Sequence, residues 1–239
     1  MKNVYLFGNG EADGTADMKN LLGGKGANLA EMNLLGIPVP PGFTITTDVC
    51  KQYYDHNLNF PDELNDQVME ALIATENIMD SKFGDENNPL LMSVRSGARQ
   101  SMPGMMDTVL NVGLASSTIP GLIKKTNNPR FVYDAYRRLI MMYADVVMEK
   151  AAGIEPADGD GIRQKLEAIL DSYKEEKGLT ADTDLSADDW IIVSGSFKSK
   201  IQSTFGEDFP DDPKAQLWGG IKAVFKSWNG SRAISYRRI

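Results

Sequence analysis

The spacing of apolar residues predicts a mostly helical chain with a few short strands. Leu64, Val68, Leu72 and Met79 recur at helical intervals within 62–80. The same pattern, with its caps and stops, predicts further helices at 27–35, 129–146, 162–177 and from Asp212-Pro213 onward. Short runs of β-branched and bulky residues predict strands at 43–47, 90–94 and 108–112. The expected fold class is therefore α+β, rich in helix.

The strand signals stop after Ser116, and this change divides the chain. From there to about Asp212 the sequence is helical and acidic, and residues 181–212 carry eight acidic residues against two lysines. We predict a first α+β subdomain at 1–115 and an inserted all-helical subdomain at 116–211. Residues 212–239 are expected to form a returning helix that completes the first subdomain.

Composition narrows the classes of protein that the chain can represent. It has 239 residues, of which 42% are hydrophobic and 24% charged, as in ordinary globular proteins. The net charge of −8 disfavours a protein that coats nucleic acid or an anionic membrane. No apolar run approaches the ~20 residues of a membrane span, and the first ten residues do not resemble a signal peptide.

Cysteine and histidine are each present once, as Cys50 and His56. A single thiol cannot close an internal disulfide, which is typical of a cytoplasmic protein. A zinc site of the Cys/His type cannot be assembled from this pair. We therefore expect a cytoplasmic protein and no metal site within this chain.

Glycines surround Lys25 directly before a predicted helix. A turn of this kind exposes backbone N–H groups, and the helix start and the lysine add positive charge, which together suit a phosphate. The spacing is not that of a Walker A loop. The same residues also fit a flexible turn with an exposed lysine. The glycines of 8–14 do not have the spacing of a dinucleotide fingerprint, and no convincing strand is predicted before them.

A second group of candidates follows the predicted strand 90–94. Arg95 ends that strand, and a run of small residues leads past Arg99 to the turn at Pro103-Gly104. Arginine suits bidentate contacts with phosphate, and a glycine-containing turn suits a lid over a nucleotide. The alternative is an arginine that pairs with an acidic residue at a strand end.

Longer motifs resemble a known family. The run from Leu22 to Met32 (LGGKGANLAEM) and that from Gly36 to Phe43 (GIPVPPGF) resemble the N-terminal nucleotide-binding domain of dikinases that make phosphoenolpyruvate. The segment from Ser93 to Val112 is similar to pyruvate, phosphate dikinases rather than to the related phosphoenolpyruvate synthases. Residues 128–138 and 223–238 fit the same family, so the resemblance covers nearly the whole chain.

The resemblance implies a fold and a reaction. The family has an ATP-grasp fold with an inserted helical subdomain. Its enzymes are phosphotransferases that convert ATP, pyruvate and phosphate into AMP, phosphoenolpyruvate and pyrophosphate with Mg²⁺. A phosphorylated histidine on a mobile domain carries the phosphoryl group to a separate pyruvate-binding barrel. The implied partners are ATP and the rest of the parent enzyme, with no nucleic acid or membrane.

The family motifs also imply site residues. Lys25 is expected to contact the ATP phosphates, and Arg95 to hold the terminal phosphates while charge develops during phosphoryl transfer. Gly104, Met106 and Asp107 are expected to lie in the turn that closes over the nucleotide. Supporting or docking positions are expected at Gly24, Arg99, Thr108 and Arg138.

Three features depart from the family pattern. The chain stops at Ile239, before the half of the domain that would supply the Mg²⁺ ligands, so it is not expected to catalyse the full reaction alone. His56 lacks phosphohistidine surroundings and is expected on the surface. Residues 190–196 form a β-branched run with a glycine where the family has a charged amphipathic helix.

A second hypothesis is a non-catalytic chain derived from a dikinase that binds a nucleotide or a partner protein.

Overall fold

The structure is a computed structural model that describes residues 1–99, 102, 104 and 106–238. Its chain forms two compact units. The first consists of Met1–Phe83, Ser96–Met106 and the residues from Trp228 onward, and the second of Gly84–Arg95 and Asp107–Ser227. These units are defined by compactness alone, and the subdomain boundaries derived from the sequence remain a prediction.

The described residues form short strands and longer helices. The strands are β1 Val4–Gly8, β2 Glu11–Ala12, β3 Gly42–Ile45, β4 Lys82–Phe83, β5 Pro89–Leu90, β6 Met92–Arg95 and β7 Thr108–Val112. The α-helices are α1 Lys19–Leu34, α2 Thr47–Asp55, α3 Leu64–Met79, α4 Ile119–Thr126, α5 Pro129–Tyr143, α6 Ile162–Lys177, α7 Ala187–Phe205, α8 Pro213–Ser227 and α9 Ser231–Arg237. The expected helix-rich α+β class is confirmed. Within the residues that the structure describes, no helix is long and apolar enough to cross a membrane.

The first unit is built on an antiparallel sheet in the order β2-β1-β3. The side of α3 that carries Leu64, Val68 and Leu72 is buried, as the apolar spacing predicts. Met79, at the end of α3, is instead 43% exposed. Strand β3 ends at Ile45, short of the predicted strand 43–47, because Thr46 is the N-cap of α2.

The glycine motif near the N-terminus is a hairpin turn. Asn9 and Gly10 both have positive φ, at 53° and 81°, and they join β1 to β2 in the manner of a type I′ turn. The Asn33 side chain holds this turn, since its amide donates to the Glu11 carbonyl and its oxygen accepts from the Gly10 N–H at 3.2 Å. The expectation that no strand precedes this motif was wrong, because β1 ends at Gly8.

The second unit contains the antiparallel pair β6–β7 and the helices α4 to α8. Strand β7 has the predicted bounds. Asn128 caps α5, where its side-chain oxygen accepts the Phe131 N–H at 3.0 Å, and Gly178 ends α6 in the left-handed conformation. A π-helix, Ala144–Lys150, directly extends α5. The caps predicted for these two helices are confirmed.

Residues 190–196 lie within a regular helix, α7. Trp190 is completely buried, and the guanidinium carbon of Arg137 lies 4.5 Å from the centre of its ring. Ile191 and Ile192 are half exposed on the outer face of the same helix. Burial of Trp190 and Val193 therefore overrides the weak helix propensity that cast doubt on this stretch.

Two helices of the first unit were not predicted from the sequence. Helix α2 begins at Thr47, inside the predicted strand, and α9 follows α8, which was expected to be the last helix. In the loop before α9, Trp228 packs against Arg237, whose guanidinium carbon lies 4.1 Å from the ring centre.

Candidate functional site

The glycine turn before Lys25 is a break inside helix α1. Gly23 has φ 70° and ψ 168°, so it interrupts helical backbone on both sides. A Cβ atom on Gly23 would lie 1.2 Å from the carbonyl oxygen of Gly97. The positive φ and this close approach each require glycine. The predicted turn is therefore present, with one extra turn of helix before it.

Residues 97–99 lie in this break and pair with both ends of it. The Gly24 N–H donates to the Ala98 carbonyl at 2.9 Å, and the Arg99 Nε–H donates to the Asn20 carbonyl at 2.9 Å. In an unbroken helix the Asn20 carbonyl would accept from the Gly24 N–H. The 97–99 segment thus provides partners for both of these backbone groups.

Helix α2 contributes to the same arrangement. The Thr47 hydroxyl also donates to the Asn20 carbonyl, at 2.6 Å, and Asp48 lies 4.0 Å from a terminal nitrogen of Arg99. The side chains of Arg99 and Asp48 are 57% and 50% exposed, so this ion pair adds little stability.

Lys25 is exposed and directly follows Gly24. The sequence suggested that the turn offers backbone N–H groups to a phosphate, but the Gly24 N–H is already bonded to Ala98. A Cβ on Gly24 would meet only the carbonyl oxygens of Ala98 and Arg99, at 3.7 and 3.9 Å, which is ordinary contact. Gly26, by contrast, packs closely on Thr44 of β3. Packing explains Gly23 and Gly26, and it leaves Gly24 unexplained.

Part of the predicted lid is described. Gly104 is exposed with φ 72°, and its carbonyl accepts a hydrogen bond from Arg232 of α9 at 3.3 Å. Met106 is half buried. Ser101, Pro103 and Met105 of the lid motif lie outside the described residues.

The remaining candidates belong to the second unit. Arg95 is the exposed last residue of β6 and lies opposite Thr108, the first residue of β7. Asp107 precedes Thr108, and its N–H donates to the Ser227 hydroxyl at 3.4 Å. Arg95, Asp107 and Thr108 therefore lie at one end of this strand pair. Arg138 lies on α5, exposed, and pairs with Asp134 at 3.2 Å.

His56 and Cys50 do not add a reactive centre to these candidates. His56 is exposed at the end of α2, as expected for a surface histidine. Burial raises the pKa of the Cys50 thiol to about 11, so the thiol stays neutral and is a poor nucleophile at neutral pH. Among the described residues no group of three or more His, Cys, Asp or Glu side chains could hold a metal ion. The chemistry available is the binding of anions by lysine and arginine.

Sequence reasoning missed the contacts that organise the glycine turn and the turn at Gly104. These involve the Asn20 carbonyl, Asp48 and Arg232. Each joins positions far apart in the chain, such as Arg99 with Asn20 or Arg232 with Gly104, and no local pattern announces them.

Comparison with known proteins identifies relatives along the whole chain. A family model described as "Pyruvate phosphate dikinase, AMP/ATP-binding domain" matches residues 19–60 and 57–239. The pyruvate, phosphate dikinase of Clostridium symbiosum is 52% identical over 239 residues, which are 100% of this chain and 26% of that protein.

Two other relatives are similarly close. The pyruvate, phosphate dikinase of Rhizobium meliloti (strain 1021) is 48% identical over 238 residues, covering 100% of this chain and 25% of that protein. The chloroplastic pyruvate, phosphate dikinase 1 of Zea mays is 47% identical over 238 residues, covering 100% and 24%. The chain thus spans about a quarter of the length of the curated relatives that it matches.

Proposed function

We propose that this chain, which belongs to the family of the pyruvate phosphate dikinase AMP/ATP-binding domain, supplies part of an ATP site. The observation that carries the proposal is the break in α1. It places the exposed Lys25 at the start of a helical segment, where the helix dipole and the ammonium group both favour a phosphate.

The proposed roles follow the charge of each group. Lys25 contacts the phosphates of ATP, and Arg95 binds the terminal phosphates through its planar guanidinium. Arg95 is also the proposed catalytic group, since a fixed cation stabilises the charge that develops on a transferring phosphoryl group. Gly104, Met106 and Asp107 belong to a turn that covers the nucleotide. Gly24, Arg99, Thr108 and Arg138 take supporting positions.

We propose the complete reaction for the whole parent enzyme. That reaction turns ATP, pyruvate and phosphate into AMP, phosphoenolpyruvate and pyrophosphate, and it passes through a phosphohistidine carried by another domain. A chain that spans about a quarter of its relatives is expected to bind ATP without completing this cycle. Its partners are then ATP and the remaining domains of the parent enzyme, in the cytoplasm.

Magnesium enters this proposal only together with the nucleotide. The described residues do not fit a protein-held metal site, because their His, Cys, Asp and Glu side chains form no suitable cluster. Mg²⁺ commonly binds through substrate phosphates and one or two carboxylates. We therefore propose that the ion arrives on ATP and finds its carboxylate ligands elsewhere in the parent enzyme.

A calorimetric titration of the chain with ATP, with and without Mg²⁺, tests the proposal. We expect a dissociation constant in the millimolar range, equivalent to a binding free energy of about −4 kcal/mol, because this chain contributes only part of the site. Lys25→Ala and Arg95→Ala should each weaken binding at least tenfold. Lys51→Ala, which removes another exposed lysine of the first unit, is the control and should bind like wild type. Absence of binding heat in the wild-type chain, or equal affinity in all variants, would contradict the proposal.

A further inference from the structure

The break in α1 leaves a helical hydrogen bond unmade, and another part of the chain replaces it. Helix geometry would join the Asn20 carbonyl to the Gly24 N–H, but Gly23 turns the backbone away between them. Backbone groups that stay unpaired at such a position destabilise the folded protein unless they form hydrogen bonds elsewhere. The 97–99 segment supplies an acceptor for one group and a donor for the other.

The two replacements differ in kind. The Ala98 carbonyl that receives the Gly24 N–H is a backbone atom, available whatever side chain stands at position 98. The donor to Asn20 is the Nε–H of Arg99, which exists only because position 99 is arginine. The link between the 97–99 segment and the Asn20 carbonyl therefore depends on a single side chain.

Arginine is suited to this position by its shape. Its Nε–H points to the Asn20 carbonyl at 2.9 Å while a terminal nitrogen of the same plane faces Asp48 at 4.0 Å. A lysine offers a single ammonium group on a flexible chain and cannot present two donors in a fixed plane. The Asn20 carbonyl also accepts from Thr47, so the guanidinium joins the break in α1 to the first turn of α2.

We infer that Arg99 is a positioning residue, which holds the 97–99 segment in the break of α1 and thereby fixes the turn that carries Lys25. Its guanidinium points to the protein backbone, and its effect on a nucleotide passes through the Gly24–Ala98 hydrogen bond. The inference rests on the proposed function for its consequence in ATP binding. The restraint itself is a property of the chain without any nucleotide.

Amide hydrogen exchange of the full chain without ATP tests the restraint directly. In Arg99→Ala the Gly24 amide should exchange about tenfold faster than in wild type, because the Ala98 carbonyl is held less firmly. Arg99→Lys should restore part of the protection, and Asp48→Asn should give a smaller change in the same direction. The Ile162 amide, which donates to Glu149 at 2.7 Å in the second unit, should be unchanged and serves as the internal control.

A titration with ATP then measures the consequence. Arg99→Ala should raise the dissociation constant for ATP about tenfold while the Ile162 amide keeps its wild-type exchange rate. If Gly24 exchange is unaltered in Arg99→Ala, the inference is wrong, even if ATP affinity falls, because Arg99 would then contact the nucleotide itself. If wild type fails to bind ATP while Gly24 exchange responds to Arg99→Ala, the proposed function fails and the positioning role stands.

Discussion

Helix α7 and the second part of helix α1 begin in opposite ways. At the start of α7, the Ser186 hydroxyl accepts the Asp189 N–H at 3.2 Å, and the Asp189 carboxylate accepts the Ser186 N–H at 2.8 Å. At the break in α1, the Gly24 N–H donates to Ala98, which lies far along the chain. The first helix start is closed by its own neighbours and the second by a distant segment. A local start is visible in the sequence, whereas the other exists only in the folded chain.

The same two helices contain glycines with different structural reasons. Gly23 in α1 has positive φ and lies against the Gly97 carbonyl. Gly195 in α7 has helical backbone, and a Cβ added there would meet nothing within 4 Å. Glycine is required at the first position and only lowers helix stability at the second. Two glycines in helices therefore carry different information, which side-chain substitution separates.

The largest effect is expected for Gly23→Ala. A positive φ with extended ψ, as at Gly23, costs a non-glycine residue about 1–3 kcal/mol, and overpacking against the Gly97 carbonyl adds about 1–3 kcal/mol. We expect a loss of about 3 kcal/mol in the free energy of unfolding, measured by urea denaturation followed by circular dichroism. Wild-type stability in Gly23→Ala would mean that the 97–99 segment is not held in the break.

A smaller loss of stability is expected at acid pH, and it arises at the start of α7. Hydrogen bonds from Ser186 and Tyr173 lower the pKa of Asp189 to about 2. A lowered folded-state pKa means stability that is present above about pH 4 and is lost as the pH falls towards about 2. Because Asp189 is half-buried and solvent still screens its carboxylate, we expect a contribution of about 1 kcal/mol.

The measurement compares Asp189→Asn with wild type in urea denaturation at several pH values. The variant should be less stable by about 1 kcal/mol near neutral pH, and the difference should vanish below about pH 2. Asp188→Asn is the matched control, since Asp188 lies in the same first turn outside the capping box. A difference between wild type and Asp189→Asn that is independent of pH would contradict this account.

The smallest change is expected to be a gain. Gly195→Ala should stabilise the chain by about 0.5–1 kcal/mol, because alanine restricts the unfolded chain and fits the open helical position. Thermal unfolding should show a slightly higher midpoint. A destabilised variant would mean that Gly195 does not lie at an open position of the helix.

Much of the fold follows from local pattern. Strand β7 and the caps of α5 and α6 depend on residues within a few positions of each other, and the sequence predicts them. Strand β1 does not follow from the pattern, because its hairpin turn at Asn9 and Gly10 lies in a glycine-rich run that also resembles a nucleotide motif. Helix α2 was missed because Thr46, its N-cap, lies inside an apparent β-branched run.

The candidate site shows the same division. The glycine turn and the position of Arg95 at a strand end follow from the sequence, because both are local. The hydrogen bonding of the turn does not follow from the sequence, since the Gly24 N–H is bonded to the Ala98 carbonyl and is not exposed to a phosphate. The glycines were predicted to suit a phosphate, but Gly23 and Gly26 are needed first for packing against Gly97 and Thr44.

The distribution of tryptophan gives the second unit an optical signal of its own. Of the three tryptophans, Trp190 and Trp218 belong to the second unit and Trp228 to the first. Trp190 is enclosed beneath Arg137, whereas Trp228 is partly open to water beside Arg237. An indole in a dry environment emits at shorter wavelength than one in contact with water. Trp218 is half-buried like Trp228, so only the short-wavelength emission of Trp190 reports the state of a single unit, the second one.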